Sequence, residues 1–446
     1  MKNRFGLLLF FATTLLLSAC TSTKLITRKE QKTLKNQLVE SPIFTQGFTG
    51  FQLYDPTSKT VLYEQYADKY FTPASNTKIF TYYAASQILG DSIPALKYII
   101  KGDSLIFWGT GDPSLLHPHI ADNQKVINFL SQQEAQLFYC PDNFMEERYG
   151  SGWMWDDYPY YFQVEMAALP IYGNFIRVQG QAESHHFTIT PSYFTQQIKS
   201  APILGGQTAR FYRQRNNNGI DYNEKPVGPS SLDRELPFIY SNDLVLQLLQ
   251  DSIKQNIQLL EGIGSPPEES RTIYSVSTDS VLQRMMVLSD NFLAEQLILL
   301  CASEVFDTLN TRKGIEFIKD TLLKDSPDAL LWYDGSGLTR YNQFTPRSVI
   351  HVLEKIYQEM PRNKWLTVFP PSNQVGIVKN YFGNEPSPYV YAKTGTLRNV
   401  RCFSGYVFTN SGKVLIFSFM NNAMPGSSQP YNEEMDKVLG WIYENL

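Results

Sequence analysis

Two short runs near the start of the chain alternate apolar and polar positions and are rich in aromatic residues. They span residues 48–54 and 60–65, and the turn-forming sequence Asp-Pro-Thr-Ser-Lys separates them. Because alternation with a period of two places successive side chains on opposite faces of a strand, the pattern predicts a β-hairpin.

A nearly continuous apolar run follows this hairpin. It extends over residues 75–89, with Pro73 just before it and Gly90 at its end. Proline before a helix and glycine after it are typical boundaries, so we predict a buried helix with Ser75 in its first turn. The free backbone N–H groups of a first turn favour negative charge that develops there.

Three further strands and a helix are predicted near the end of the chain. Residues 389–397, 401–409 and 414–420 have strand-like patterns, and the turn sequence Asn-Ser-Gly separates the last two. An amphipathic pattern over residues 431–446 predicts the helix. The predicted total is five strands, two early and three late.

The central region has a different pattern. From about residue 101 to residue 270 the sequence is β-rich and poor in long helical periods. Helical patterns return at residues 279–288 and 292–300, on either side of Ser289. We therefore predict that a β-rich region is inserted between two parts of one domain.

The overall composition is that of a globular protein. Of 446 residues, 43% are hydrophobic and 18% are charged, and this length suggests two or three domains. The formal net charge of −4 gives no support for nucleic-acid binding.

The N-terminus predicts an export signal. Two basic residues precede an apolar run at residues 5–17, which is too short to span a bilayer, and Leu-Ser-Ala-Cys ends at Cys20. This ending resembles a bacterial lipobox, which implies removal of residues 1–19 and lipidation of Cys20. The alternative is an ordinary signal peptide with a chance cysteine. Because Thr21 follows, the resemblance favours the periplasmic face of a Gram-negative outer membrane, with residues 20–41 as a tether.

Cysteine and histidine usage gives no support for a disulfide framework or a metal centre. Apart from Cys20 there are three cysteines, an odd number without close spacing. The five histidines lack partners at ligand spacing, and no glycine-rich phosphate loop is present. We expect no metal and no cofactor.

Ser75 and Lys78 are the first candidates for chemistry. Three positions apart on a helix, they place a hydroxyl and an amine on one face. A serine hydroxyl needs a base to take its proton, and a lysine serves as that base only if its pKa is lowered. Burial lowers it, and so does a second cation, so we expect another positive group in the site.

Two other short motifs supply candidates for the rest of the site. Ser-Asp-Asn at residues 289–291 lies in a predicted loop between helices, and Lys-Thr-Gly-Thr at residues 393–396 lies in a predicted strand. Singly, each motif is more often a helix pair, a helix-start turn or a strand end. Ser-x-x-Lys, Ser-x-Asn and Lys-Thr-Gly each occur once in the chain, and their joint occurrence in this order favours a functional interpretation.

Together the three motifs resemble those of class A β-lactamases and penicillin-binding proteins. Sequences at residues 109–115, 152–157 and 334–340 narrow the resemblance to the S13 family of D-alanyl-D-alanine carboxypeptidases and endopeptidases. The resemblance implies an α+β, β-lactamase-like penicillin-recognising fold, in which helices flank a five-stranded antiparallel sheet. The catalytic domain is then residues 42–100 plus 271–446, and the inserted β-rich accessory domains are residues 101–270.

The resemblance also implies a reaction. Enzymes of this family act on peptidoglycan stem peptides that end in D-Ala-D-Ala, use no cofactor, and are inhibited covalently by β-lactams. Ser75 is then the nucleophile and Lys78 its base, with a pKa lowered by Lys393. Ser289 carries the proton to the leaving amine, and Asn291 binds both Lys78 and the acyl part of the substrate.

The third motif is expected to bind the substrate as well. The backbone amides of Ser75 and Thr396 are the implied donors to the oxyanion. The hydroxyls of Thr394 and Thr396, together with Lys393, suit the terminal carboxylate. Gly395 is expected to let the strand backbone approach the substrate.

A further subsite is implied for the third residue of the stem peptide. Asp157 matches an aspartate that binds the free amino group of diaminopimelate, although the adjacent Asp156 makes the register ambiguous. Arg340 is a candidate to bind a carboxylate of the same side chain, with a structural ion pair as its alternative.

Two other functions stay open at this point. A β-lactamase shares the motifs, but class A enzymes use an extra glutamate on a loop between the second and third motifs, and we identify no such loop. A catalytically silent wall-binding lipoprotein has no need of the intact motif set. The sequence is compatible both with removal of the terminal D-alanine and with cleavage of the crosslink.

Overall fold

The computed structural model describes residues 26–202, 205–371 and 387–446, so the predicted leader and Cys20 lie outside the described residues. Across these ranges, no helix is long and apolar enough to cross a membrane. The helices, in chain order, are α1 (Arg28–Val39), α2 (Thr77–Ile88), α3 (Lys125–Ser131), α4 (Asn242–Ile253), α5 (Thr278–Leu288), α6 (Asn291–Phe306), α7 (Thr311–Thr321), α8 (Pro346–Glu359), α9 (Arg362–Val368) and α10 (Gln429–Asn445). The strands are β1 (Phe48–Asp55), β2 (Thr60–Gln65), β3 (Ser92–Lys101), β4 (Ser104–Gly109), β5 (Gln136–Cys140), β6 (Phe175–Gly180), β7 (Phe187–Thr190), β8 (Ile198–Ser200), β9 (Phe211–Arg213), β10 (Ile220–Tyr222), β11 (Leu232–Pro237), β12 (Ile257–Leu259), β13 (Arg271–Ser277), β14 (Val390–Leu397), β15 (Val400–Phe408) and β16 (Val414–Asn422).

One five-stranded sheet joins early and late parts of the chain. Its order is β14-β15-β16-β1-β2, and every pair of neighbours is antiparallel. Strand β1 lies beside β16, with Phe51 opposite Phe419. The predicted five-stranded antiparallel sheet, with two early and three late strands, is confirmed.

Helices cover both faces of this sheet. On one face Phe417 belongs to the same hydrophobic cluster as Leu439 of α10. On the other face Ile416 belongs to a cluster that contains Leu353 of α8. Neighbouring strand residues point to opposite faces, so β16 is buried on both, and its sequence is mostly apolar.

Part of the expected tether is a packed helix. Helix α1 begins after Thr27, whose side chain accepts a hydrogen bond from the backbone N–H of Glu30 in a capping box. Leu34 and Leu38 are buried in the cluster that covers the sheet. The prediction of a tether over residues 20–41 is therefore wrong for α1, because two leucines four positions apart give this polar segment an apolar face.

The predicted buried helix is α2. A short 3-10 turn, Ala74–Asn76, precedes it and contains Ser75. Helices α5, α6 and α8 contact α2, and its residues from 77 to 85 are all buried. A helix that is buried all round lies in the interior of a domain, which fits its continuous apolar sequence.

A close backbone contact holds the start of α2 in place. Gly337 has a φ of +82°, and a Cβ atom added to it would lie 1.9 Å from the carbonyl oxygen of Ala74. A larger residue at position 337 would therefore force the backbone there away from the turn that contains Ser75. Ala74 itself has a φ of +47°, a region that side chains with a Cβ rarely adopt, so both partners are tightly constrained.

The inserted region contains a second five-stranded sheet and two three-stranded sheets. The second sheet has the order β12-β5-β4-β3-β13, and the entry strand β3 pairs with the exit strand β13. This pairing reaches from Ser92 to Ser277, outside the expected limits of residues 101 and 270. The division into domains stays a prediction, and these two strands mark where the inserted sheet begins and ends.

Candidate active site

A cavity of about 660 Å³ lies where three parts of the chain meet. The turn before α2 contributes Ser75, the loop between α5 and α6 contributes Ser289, and β14 contributes Thr396. The inserted region contributes further lining residues, among them Asp157. Three motifs that are far apart in the sequence therefore line one cleft.

Ser75 and Lys78 are in direct contact. Lys78 Nζ lies 3.1 Å from Ser75 Oγ, and it also donates to Asn291 Oδ1 and to the carbonyl oxygen of Ser336, each at 2.7 Å. The Lys78 side chain is fully buried, whereas Ser75 is half-buried and faces the cleft. The geometry places a potential base within reach of the hydroxyl proton.

Burial lowers the pKa of Lys78 to about 8. The negative charges of Glu295, Asp334 and Asp290 oppose this effect, because they favour the ammonium form. At this pKa about one lysine in ten is neutral at pH 7, far more than for a lysine in water. Lys78 is therefore suited to take a proton near neutral pH.

Lys393 is the second cation that the sequence led us to expect. It is buried, and its Nζ donates to Ser289 Oγ at 2.9 Å and to the carbonyl oxygen of Thr394 at 3.0 Å. Its pKa is lowered well below the ordinary value, first by burial and then by the charges of Lys78 and Arg401. Burial therefore lowers the pKa of Lys78, which is one of the two expected causes, whereas the charge effect between the two lysines lowers the pKa of Lys393.

The loop between α5 and α6 sets the positions of Ser289 and Asn291. Ser289 ends α5 in a left-handed conformation with a φ of +59°. Asp290 caps α6 by accepting a hydrogen bond from the backbone N–H of Leu293, and Asn291 is the first residue of that helix. The amide nitrogen of Asn291 donates to the carbonyl oxygen of Phe162, so the inserted region helps to orient this side chain.

The residues of the third motif have different environments. Thr396 is exposed and lines the cleft, and its hydroxyl accepts a hydrogen bond from Arg401 at 2.7 Å. Thr394 is buried and is not among the residues that line the cavity. A Cβ atom on Gly395 would lie 2.5 Å from the carbonyl oxygen of Pro73. Glycine is therefore required here for a close approach to the turn before α2, and its expected approach to a substrate stays a prediction.

Asp157 and Arg340 line the same cavity on the side of the inserted region. Burial raises the pKa of Asp157, as does Asp156, while the charges of Arg340 and Arg398 lower it. Arg340 is exposed, and its guanidinium donates to the carbonyl oxygen of Arg398 at 3.1 Å. The Asp157 carboxylate thus shares the cleft wall with the guanidinium groups of Arg340 and Arg398.

The buried groups that surround the Lys78 amine were not identified from the sequence. Glu295 and Asp334 are buried carboxylates close to it, and Ser336 supplies one of its acceptors. The signal for Glu295 was present, since a carboxylate within the apolar run 292–300 requires an internal partner. Asp334 and Ser336 lie in the segment at residues 334–340, which the sequence analysis used only to narrow the family resemblance.

Metal ligands are not clustered in the part of the chain that the structure describes. No group of three or more His, Cys, Asp or Glu side chains is placed to hold a metal ion there. Cys140, Cys301 and Cys402 are buried and free.

Comparison with known proteins gives consistent similarities. The sequence model of the D-Ala-D-Ala carboxypeptidase 3 (S13) family matches residues 30–442. D-alanyl-D-alanine carboxypeptidase DacB of Haemophilus influenzae is 24% identical over 416 residues, which cover 84% of this chain and 86% of that protein. The crystal structure of penicillin-binding protein 4 from Haemophilus influenzae matches with a TM-score of 0.72 at 20% identity, and the match covers 93% of this chain and 99% of that one. A structure of the same protein complexed with a β-lactam has a TM-score of 0.65 at 18% identity, with the same coverage.

We expect the substitution Lys393→Met to remove a pH-dependent part of the free energy of unfolding. Because the pKa of Lys393 in the folded protein lies well below 10.5, only the unfolded chain binds this proton as the pH falls below that value. Stability therefore rises with pH up to the unfolded pKa, by about 1.4 kcal/mol per pH unit for one proton.

Denaturant unfolding of both proteins between about pH 7 and pH 10 measures this slope. The wild type should be steeper than Lys393→Met. Lys101→Met, at an exposed position, is the matched control and should keep the wild-type slope. Equal slopes for the wild type and Lys393→Met contradict the assigned pKa direction.

Proposed function

The chain belongs to the S13 family of D-Ala-D-Ala carboxypeptidases and is a serine-type DD-peptidase, and we propose that it acts on peptidoglycan stem peptides through an acyl-enzyme on Ser75. The observation that carries this assignment of Ser75 is its contact with Lys78, whose pKa is lowered to about 8. A hydroxyl beside a buried and partly neutral amine is an activated nucleophile.

The proposed reaction follows from these contacts. Ser75 Oγ bonds to the carbonyl carbon of the penultimate D-alanine while the C–N bond to the terminal residue breaks. The hydroxyl proton passes to Lys78, and Ser289, which accepts a hydrogen bond from Lys393, carries this same proton onward to the leaving nitrogen. Water then hydrolyses the ester, which releases the shortened peptide and restores Ser75.

The proposed oxyanion donors are the backbone amides of Ser75 and Thr396. Both residues line the cavity, and β14 lies against the turn that contains Ser75 through Gly395. Loss of a single such donor typically slows acyl transfer about 100- to 1,000-fold. We assign recognition of the terminal carboxylate to Lys393, Thr394 and Thr396, with Thr396 the only threonine of this set on the cavity wall among the described residues.

β-Lactams are proposed covalent inhibitors of the same serine. Their ring amide presents a carbonyl to the nucleophile, and the leaving nitrogen stays attached after the ring opens. The similar structure of Haemophilus influenzae penicillin-binding protein 4 complexed with a β-lactam supports this proposal.

We expect the mature protein to form a stable adduct with labelled penicillin on Ser75 and to release D-alanine or monomeric muropeptides from peptidoglycan fragments. Ser75→Ala should abolish the adduct. Lys78→Ala should slow acylation by about 100- to 10,000-fold, which is the usual contribution of a general base. Mass spectrometry of the adduct and analysis of the released products provide the measurements.

The matched control is Ser86→Ala, at a serine of α2 whose hydroxyl donates to the carbonyl oxygen of Tyr83 and does not line the cleft. It should form the adduct as the wild type does. Absence of a wild-type adduct favours the silent wall-binding lipoprotein, and penicillin turnover of many molecules per second favours a β-lactamase.

The third stem-peptide residue is proposed to bind at Asp157 and Arg340. A carboxylate and a guanidinium on one wall of the cleft complement a side chain that ends in both an amino and a carboxyl group. The proposed substrate class is therefore a stem peptide with diaminopimelate at this position.

We expect Asp157→Ala to reduce the preference for such a substrate. The kcat/KM ratio between a peptide with diaminopimelate and one with an uncharged third side chain should fall about 10- to 100-fold, because one charged hydrogen bond is lost. Asp156→Ala is the neighbouring control and should preserve the ratio. The reverse result would assign the subsite to Asp156.

The export signal supports a further proposal, that the protein is a lipoprotein on the periplasmic face of the outer membrane. The support is the apolar run that ends at Cys20, followed by Thr21. Helix α1 packs onto the catalytic core soon after this cysteine, so an anchor there would hold the enzyme close to the membrane surface.

Expression in a Gram-negative host with radiolabelled palmitate tests this proposal. The wild type should incorporate the label and appear in the outer-membrane fraction, and Cys20→Ser should lose both properties. Cys140→Ser is a control for cysteine loss elsewhere and should retain the label. An unlabelled wild type indicates an ordinary signal peptide instead.

A further inference from the structure

Glu295 is a buried carboxylate to which the reaction above gives no role. It lies in the apolar helix α6, four residues after Asn291. Residues four apart share one face of a helix, so Glu295 lies on the face that carries the Asn291 contact to Lys78. A carboxylate at such a buried position is stable only with several hydrogen-bond donors.

The two oxygens of Glu295 hold the turn at residues 334–338. Oε2 accepts the backbone N–H of Gly335 at 2.9 Å, and Oε1 accepts that of Ser336 at 2.8 Å. The carbonyl oxygens of the same two residues contact α2: Ser336 accepts from Lys78 Nζ at 2.7 Å and Gly335 from Thr81 Oγ1 at 2.6 Å. Glu295 therefore fixes the position of the turn, and the turn in turn fixes the position of the Lys78 amine.

Asp334, at the start of this turn, has a complete set of donors. It accepts hydrogen bonds from the backbone N–H groups of Gly337 and Thr339 and from the side chains of Trp153 and Asn342. Burial raises the pKa of Asp334, and the four hydrogen bonds oppose this effect because they favour the ionised form. When ionised, Asp334 is a negative neighbour that raises the pKa of Glu295.

Burial and the neighbouring charges act on the pKa values of both Glu295 and Lys78. Burial and the Asp334 charge raise the pKa of Glu295 to about 8. The charges of Glu295, Asp334 and Asp290 favour the ammonium form of Lys78 against its burial. Lys393 faces the site from β14 with its own pKa lowered. Glu295 is thus a buried neighbour of Lys78 whose own pKa is raised and whose negative charge, when present, favours the Lys78 ammonium.

On the basis of the proposed acyl transfer at Ser75, we propose that Glu295 is a positioning residue that acts through Lys78. Its carboxylate fixes the turn whose Ser336 carbonyl holds Lys78 beside the nucleophile. Its charge determines how readily Lys78 gives up a proton and becomes the base. Glu295 is buried behind the turn and does not line the cavity.

The substitution Glu295→Gln tests the charge, because it keeps the size of the side chain. Loss of a negative neighbour disfavours the ammonium, so Lys78 becomes neutral at lower pH. The rising limb of the acylation rate should move down by about one pH unit, as measured with labelled penicillin between about pH 5 and pH 10. The maximal rate should fall about tenfold, because one backbone N–H of the turn loses its acceptor.

Glu304→Gln is the matched control, since it makes the same change at an exposed position of the same helix. It should keep the wild-type pH midpoint. A wild-type midpoint in Glu295→Gln overturns the inference, because a purely structural carboxylate changes the rate without shifting the midpoint. A wild type that is not acylated at any pH overturns the proposed function instead.

Glu295→Asp separates the position of the carboxylate from its charge and decides the question if Glu295→Gln does not fold. It keeps the charge but is one methylene shorter. We expect the wild-type pH midpoint with a maximal rate about tenfold lower, because the turn is no longer held at the same distance. A wild-type maximal rate in this variant overturns the proposed positioning role.

Discussion

The burial of a lysine ammonium beside a serine hydroxyl is the constraint on which the rest of the structure depends. Removing such a charge from water carries a penalty of several kcal/mol. Hydrogen bonds from Lys78 to Ser75, Asn291 and Ser336 offset part of this penalty. The part of the penalty that is not offset lowers the pKa of Lys78 to about 8. The same penalty that destabilises the fold therefore makes the amine usable as a base.

Each of these contacts belongs to a different part of the fold. Ser75 lies in the turn before α2, and Asn291 is the first residue of α6. Ser336 lies in a turn that Glu295 holds through two backbone amides and that Gly337 allows to approach Ala74. Lysine has a long, flexible side chain. Because packed interiors deform little, these contacts restrict the Lys78 amine to one position.

The antiparallel sheet supplies the remaining wall of the cleft. Strand β14 pairs along its whole length with β15, and this register fixes the positions of Lys393 and Thr396 along the edge of the sheet. The absence of a side chain on Gly395 lets this strand lie against Pro73, so the edge of the sheet and the start of α2 are in direct contact. The inserted region completes the site from the other side, where the Phe162 carbonyl orients Asn291.

The sequence by itself determined the local elements and the identity of the reactive groups. Period-two alternation predicted the sheet strands, the apolar run predicted α2, and three motifs predicted which side chains meet, because each of these signals lies within a few neighbouring residues. Only the tertiary structure decided that α1 is packed, that Gly395 contacts Pro73, that burial rather than Lys393 lowers the pKa of Lys78, and that Glu295 lies behind the site. Those properties arise from desolvation and from contacts between residues distant in sequence, and no local pattern of amino acids encodes them.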